Sequence, residues 1–144
     1  MSGTLFVDTG AWVGLFAERD QYHDRAVAAY DECVRTGRDL ITTDYVLSET
    51  VVRVRQIAGL KVAAAVWDFL ESQEVARMIE VAPPVRQEAR SLFDKCAKLD
   101  LSLVDCVSFV VMSRVGIQEA FTFDADFKKA GFLMFPRPGN GGRS

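Results

Sequence analysis

The sequence has 144 residues, 49% of them apolar and 26% charged, which is enough to bury the core of one ordinary domain without staples. Its net charge of −3 withholds the basic footprint that phosphate binding leaves on a whole domain, unless the acidic excess gathers where a divalent cation inverts the local field. Cys33, Cys96 and Cys106 are odd in number and lack CxxC spacing, which excludes a disulfide framework and a thiolate zinc site and leaves buried free thiols.

No basic leader precedes Leu5-Phe6-Val7, and charges interrupt every later apolar run short of the roughly 20 residues that span a bilayer. A soluble, cytoplasmic protein is expected. Thr4 to Val7 reads as a short strand, and Asp8 or Thr9 caps a helix that begins near Gly10 and carries Trp12, Val13, Leu15 and Phe16. Tyr22 to Arg35 places Ala26, Val27, Ala29, Tyr30 and Val34 mainly on one helical face and ends at Gly37. Leu40 to Thr43 is a second strand, with Asp44 as the cap of a helix through Val54, and Gly59 separates that helix from another over Lys61 to Ser72. These two helices make a hairpin. Val75 to Val81 is the third strand, and Pro83-Pro84 precedes a helix from Val85 to Leu99. Ser102 to Val115 is a helix apolar almost all round, Ala120 to Phe123 a fourth strand, and Phe132 to Phe135 a fifth. One domain over residues 1–136 is expected, with a flexible tail over 137–144. Strands alternating with helices predict an α/β fold, an open and mainly parallel sheet covered on both faces. A ligand then sits beyond the carboxyl ends of the strands, where strand order reverses.

Position in the chain thereby becomes chemical information. Asp8 directly follows the first strand, and its other reading is a helix cap. Asp124 follows the fourth strand in the same topological place, with Asp126 two residues on; its other reading is a turn. Asp105 lies within Leu103-Val104-Asp105-Cys106-Val107, in a helix so apolar that an ionised carboxylate needs a partner. Ser102 and Asp105 also have the spacing of a capping box, and capping leaves the carboxylate available to an ion. Glu49 borders the buried face of its helix, and Arg53 one turn later offers it a surface ion pair instead.

Other chemistries fit poorly. His23 is the only histidine and reads as surface rather than site, so a nucleophilic triad would rest on one residue. No glycine-rich phosphate loop occurs. Carboxylates without histidine or thiolate favour magnesium or manganese over zinc, which leaves metal-assisted phosphoryl chemistry. Two rivals stand beside it. One is a non-catalytic protein that binds a partner or RNA, its acids being caps and surface charges. The other is a phosphatase of the haloacid-dehalogenase type, suggested by Asp124-Ala125-Asp126; that class places its Asp-x-Asp after the first strand, where this chain has Asp8-Thr9-Gly10.

In order and spacing, Phe6-Val7-Asp8-Thr9, Ser48-Glu49, Leu103-Val104-Asp105 and Thr122-Phe123-Asp124-Ala125-Asp126-Phe127 resemble the PIN-domain family, in particular its VapC-type toxins. The resemblance covers essentially the whole chain. It implies a three-layer PIN-like fold and a magnesium- or manganese-dependent endoribonuclease, with Asp8, Glu49, Asp105 and Asp124 at the family's catalytic, metal-holding acids and Asp126 at a further acid. It also implies that Thr9 and Thr122 order the site through hydrogen bonds to carboxylates or water. Arg53, Arg55, Lys128 and Lys129 are candidates to guide the RNA backbone. A homodimer and a cognate VapB-type antitoxin are the implied partners, and Trp67 and Phe69 in the hairpin are candidates to line such an interface as well as the core.

Overall fold

The computed structural model describes residues 3–138, so the expected tail lies, from residue 139 onward, outside the described residues. Five strands, β1 (Leu5–Val7), β2 (Leu40–Thr43), β3 (Ala76–Ile79), β4 (Glu119–Phe121) and β5 (Leu133–Phe135), form one sheet in the order β3-β2-β1-β4-β5. Every neighbouring pair is parallel. Burial explains the sequence of the central strands: Leu5-Phe6-Val7 and Leu40-Ile41-Thr42-Thr43 are covered on both faces, so neither shows polar alternation. The two buried threonines are satisfied. Thr42 Oγ1 donates to the Val7 carbonyl and accepts from Trp12 Nε1 at 3.2 and 3.3 Å, while Thr43 Oγ1 accepts from Val46 N–H.

Between the strands run α1 (Thr9–Phe16), α2 (His23–Thr36), α3 (Asp44–Ala58), α4 (Leu60–Glu71), α5 (Pro83–Lys95), α6 (Leu103–Val115) and α7 (Ala125–Lys129). The chain steps from β1 to β2 to β3 in one direction across the sheet and from β4 to β5 in the other, so right-handed crossovers set α1 to α4 against one face and α5 to α7 against the other. Contacts agree: α1 packs on α2 and α3, α3 on α4, and α5 on α6. Three layers result, as expected.

Several boundaries differ from the sequence reading. Thr43, not Asp44, caps α3; the Asp44 carboxylate instead accepts from Val81 N–H at 3.0 Å. Pro83 and Pro84 form the first turn of α5, where their missing N–H groups cost nothing. That helix ends at Lys95 and gives way to a 3₁₀ turn, Ala97–Leu99, before Asp100 takes a left-handed φ of 54°. β4 stops at Phe121, and α7 was not foreseen. Cys33 and Cys106 are buried free thiols and Cys96 is half-buried. His23 lies outside the site, as expected, but is half-buried rather than exposed: its Nδ1 lies 2.8 Å from the Gly14 carbonyl, pinning the start of α2 to α1. No helix among the described residues is long and apolar enough to cross a membrane.

The amino ends of the strands are tied by Arg38. Its guanidinium meets Glu119 Oε1 at 2.6 Å, its Nε donates to the Gly3 carbonyl at 2.9 Å, and it lies 5.4 Å from the centre of the Phe135 ring. With the arginine side chain only 12% exposed, solvent screens these contacts weakly. Arg38→Ala is expected to lower stability by about 2 kcal/mol, the scale of a charge-assisted hydrogen bond. The shift should appear in the urea midpoint with an unchanged slope.

Candidate metal centre

The switch in strand order falls between β1 and β4, so the crevice of the fold opens where these two strands end. Asp8 is the residue after β1, and its N–H bonds to the Phe121 carbonyl, carrying the pairing one step past both strands. Although it occupies the cap position of α1, its carboxylate makes no capping bond. Oδ2 instead accepts from Thr122 Oγ1 at 2.9 Å. The same Thr122 oxygen accepts from Asp124 N–H at 3.0 Å, so one buried hydroxyl fixes an acid from each strand end. Asp124 Oδ1 in turn accepts from Asp126 N–H at 2.9 Å and caps the short α7.

Asp105 arrives from the other layer. The capping box foreseen in the sequence is present: Ser102 Oγ accepts from Asp105 N–H at 3.0 Å and Asp105 Oδ2 accepts from Ser102 N–H at 3.3 Å. The cap orients the carboxylate without consuming both its oxygens. Glu49, on α3, makes no ion pair with Arg53 among the described residues. It is close enough to Asp105 to oppose that group's ionisation.

Asp8, Glu49, Asp105 and Asp124, from four different elements, line one cavity of about 400 Å³ together with Thr9, Tyr22, Arg53 and Phe123. Carboxylate oxygens of Asp105, Asp124 and Asp126 can lie within 4.8 Å of one another, a spacing that one cation could bridge. Asp126 is not in the lining of the cavity itself and has Lys129 Nζ at 3.7 Å. Arg53 is the basic residue in that lining and makes no ion pair among the described residues, whereas Arg55 and Lys128 lie outside it.

The electrostatics follow from this crowding. The Asp8 carboxyl is pushed up to about 7, by burial first and then by the charges of Asp105 and Asp124, and the bonds from Thr122 and from the Thr9 backbone offset only part of this. Burial likewise raises Asp105 to about 6, with Asp124 and Glu49 adding and the two Ser102 bonds opposing. Acids this close hold protons in the absence of a counter-charge. The residues present fit a hard divalent ion on two grounds. Every donor is oxygen, the preference of magnesium and manganese. Thr9 Oγ1, buried in the wall of the cavity, has no hydrogen-bond partner among the described residues, like the hydroxyls of Thr50 and Ser108 outside the cavity, and it adds one uncommitted oxygen beside the acids.

The sequence did not point to Tyr22 or to Phe123 as residues of the cavity. Phe123 extends the run of β4 in sequence but turns aside from the sheet, and Tyr22 comes from a loop whose position only packing reveals.

Known proteins resemble the chain in sequence and in fold. Residues 5–133 match the PIN domain family. The chain is 30% identical over 129 residues to the 23S rRNA-specific endonuclease VapC20 of Mycobacterium tuberculosis, covering 90% of this chain and 95% of that protein. The crystal structure of the same Mycobacterium protein, described as a Sarcin-Ricin loop cleaving toxin, superposes with a TM-score of 0.82 and 29% identity over 90% of this chain and 96% of that one. VapBC2 from Rickettsia felis, bound to a DNA fragment from its promoter, superposes with a TM-score of 0.66 and 12% identity over 91% and 96%, a likeness of fold alone.

Proposed function

The chain belongs to the PIN-domain family, and from that premise we propose that it is an endoribonuclease, the toxin of a toxin–antitoxin pair, whose carboxylates hold magnesium or manganese at the switch point of the sheet. The observation that carries the proposal is the meeting of Asp8, Glu49, Asp105 and Asp124 in one cavity, none of them in an ion pair among the described residues. A purely structural set of caps and surface charges would not converge from four elements, nor lift two carboxyls toward neutrality.

Asp8, Glu49, Asp105 and Asp124 would hold the ion together with Asp126, whose carboxylate comes within 4.8 Å of those of Asp105 and Asp124. When bound, such an ion supplies a water acidic enough to act as nucleophile near neutral pH and charge neutralisation on the attacked phosphate. The protein's own part is positioning. Thr122 sets the Asp8 and Asp124 carboxylates relative to each other, and the Ser102 cap sets Asp105. Arg53, in the lining of the cavity and in no ion pair among the described residues, would meet a phosphate of the incoming RNA. The likeness to a 23S rRNA-specific endonuclease, over nearly the whole of both proteins, makes ribosomal RNA the first substrate to offer.

A homodimer and an antitoxin are the partners proposed with this function. An apolar groove of about 250 Å³ on the α3–α4 hairpin, lined by Leu47, Val51, Val52 and Trp67, supplies a surface suited to the antitoxin. Trp67 is 52% exposed, whereas Phe69 is half-buried and packs edge-on against Phe16 at the border of the core.

The test is cleavage of ribosomal RNA by the purified protein with manganese, with chelator, and by Asp105→Asn. Asparagine retains an oxygen for the Ser102 N–H, so the cap and the fold should survive. Cutting is expected to need the metal and to fall at least roughly a hundredfold in the variant, the scale of losing a metal ligand or its support. Cleavage that persists in chelator, or at the wild-type rate in Asp105→Asn, overturns the assignment.

A further inference from the structure

We propose that the stacked rings of Tyr22 and Phe123 seat an unpaired RNA base beside the acidic cavity, a subsite that rests on the endoribonuclease reading and extends it to substrate recognition. The two rings lie 4.5 Å apart and 3° from parallel. Both are half-buried, and both line the cavity that holds the four acids. Phe123 rests against the core, where it meets the Phe121 ring edge-on, yet both rings also line the polar, anionic cleft, and the face of a ring is what an unstacked base takes in single-stranded RNA recognition.

The platform is held from two sides. Tyr22 N–H donates to Asp20 Oδ2 at 3.0 Å, its carbonyl accepts from Ala26 N–H at 2.8 Å, and the neighbouring His23 is pinned to the Gly14 carbonyl. Gly14 leaves room for this loop, since a Cβ there would stand 3.1 Å from Ala26 Cβ and 3.6 Å from Tyr22 Cβ. Phe123 sits between Thr122 and Asp124, whose hydrogen bond belongs to the network of the acids. The stack is therefore at a fixed distance from the carboxylates. A base resting on it would set which phosphate reaches them, so these rings select the cleavage position.

Arg25 completes the arrangement. Its guanidinium carbon is 5.1 Å from the centre of the Phe123 ring and 6.0 Å from that of Tyr22. Since the rings are themselves 4.5 Å apart, those distances place it alongside the pair rather than on an outer face, so this cation does not occupy the position a stacked base would take. Arg25 makes no ion pair among the described residues and is available to the phosphate that flanks the base.

Binding can be read without cutting in the Asp105→Asn protein, with short single-stranded ribooligonucleotides carrying 2-aminopurine at successive positions. Quenching of one position on binding is expected. Tyr22→Phe should retain it, while Tyr22→Leu and, from the other element, Phe123→Leu should lose it and weaken binding about tenfold. In the cleaving protein, Tyr22→Leu should raise KM with little change in kcat and scatter the cut sites. Absence of quenching at every position, a folded Tyr22→Leu that binds as tightly as its parent, or a Tyr22→Phe as weak as Tyr22→Leu overturns the proposal. Quenching without any cleavage by the wild type would sink the nuclease reading and leave the subsite standing; cleavage without quenching does the reverse.

Discussion

Asp8→Asn is expected to silence cleavage by at least about a hundredfold and, at about pH 8, to make the metal-free protein more stable than the wild type. The two effects have one cause. Asp8 is only 6% exposed, and burial beside Asp105 and Asp124 lifts its carboxyl from 3.8 to about 7. At about pH 8 the wild type must carry that charge in a site that disfavours it. Asparagine removes the charge and keeps an oxygen to accept from Thr122 Oγ1, so the network at the strand ends need not change. A shift of this size corresponds to a gain of about 4 kcal/mol, or on the order of ten degrees in Tm. Near pH 5 the folded wild-type carboxyl already holds its proton while the unfolded chain is still mostly ionised, so the advantage of the variant should fall to less than half there and vanish only below about pH 4. Thermal melts of both proteins in chelator at the two pH values measure it. A variant that loses activity and also loses stability at about pH 8 would show Asp8 to be a structural residue.

The same burial explains how far the sequence could be read. β2 was predicted over its observed span because Leu40-Ile41-Thr42-Thr43 is bounded by polar residues and its hydrophobic core needs no alternation. Asp8 and Asp124 were legible from topology alone: an acid after each strand that borders a switch point has one place to go. Asp105 was legible from the cost of a charge in an apolar helix, and its cap with Ser102 from spacing. Glu49 was not, since nothing local separates an acid that faces a cavity from one that pairs with Arg53; the family resemblance supplied it, and the structure shows the cavity without the ion pair. The short α7 escaped because only Phe127 of its five residues is buried, leaving no periodicity to read. The choice of Thr43 over Asp44 as cap was undecidable locally, because what removes Asp44 is a bond to Val81 on a distant segment. Tyr22 and Phe123 meet across 101 positions of sequence, and no local signal encodes that contact.

Divalent metal is expected to reverse the pH dependence of stability, and this second large effect separates a metal centre from an incidental cluster of acids. Without metal the sign follows from the direction of the shifts. Asp8 and Asp105 bind protons more tightly in the folded protein than in the unfolded chain, with carboxyls at about 7 and about 6 against 3.8. The folded state therefore carries more protons between those limits, and stability falls as pH rises through the window. The contribution of both groups is fully present below about pH 4 and lost above about pH 7, although general acid unfolding by other carboxylates will mask its lower end. A bound ion replaces the protons as counter-charge. Because protons compete for the same oxygens, metal should bind more tightly at about pH 8 than at about pH 5.5. At about a hundredfold excess over its dissociation constant it adds roughly 2.7 kcal/mol. Titrating manganese while following Tm at both pH values should thus give a large upward shift at the higher pH and a small one at the lower. The shift should be absent in Asp8→Asn and Asp105→Asn, whereas Arg38→Ala, at the opposite edge of the sheet, should melt earlier but respond to manganese like the wild type. An equal shift at both pH values, or one that survives in both acid variants, would place the ion somewhere other than these carboxylates.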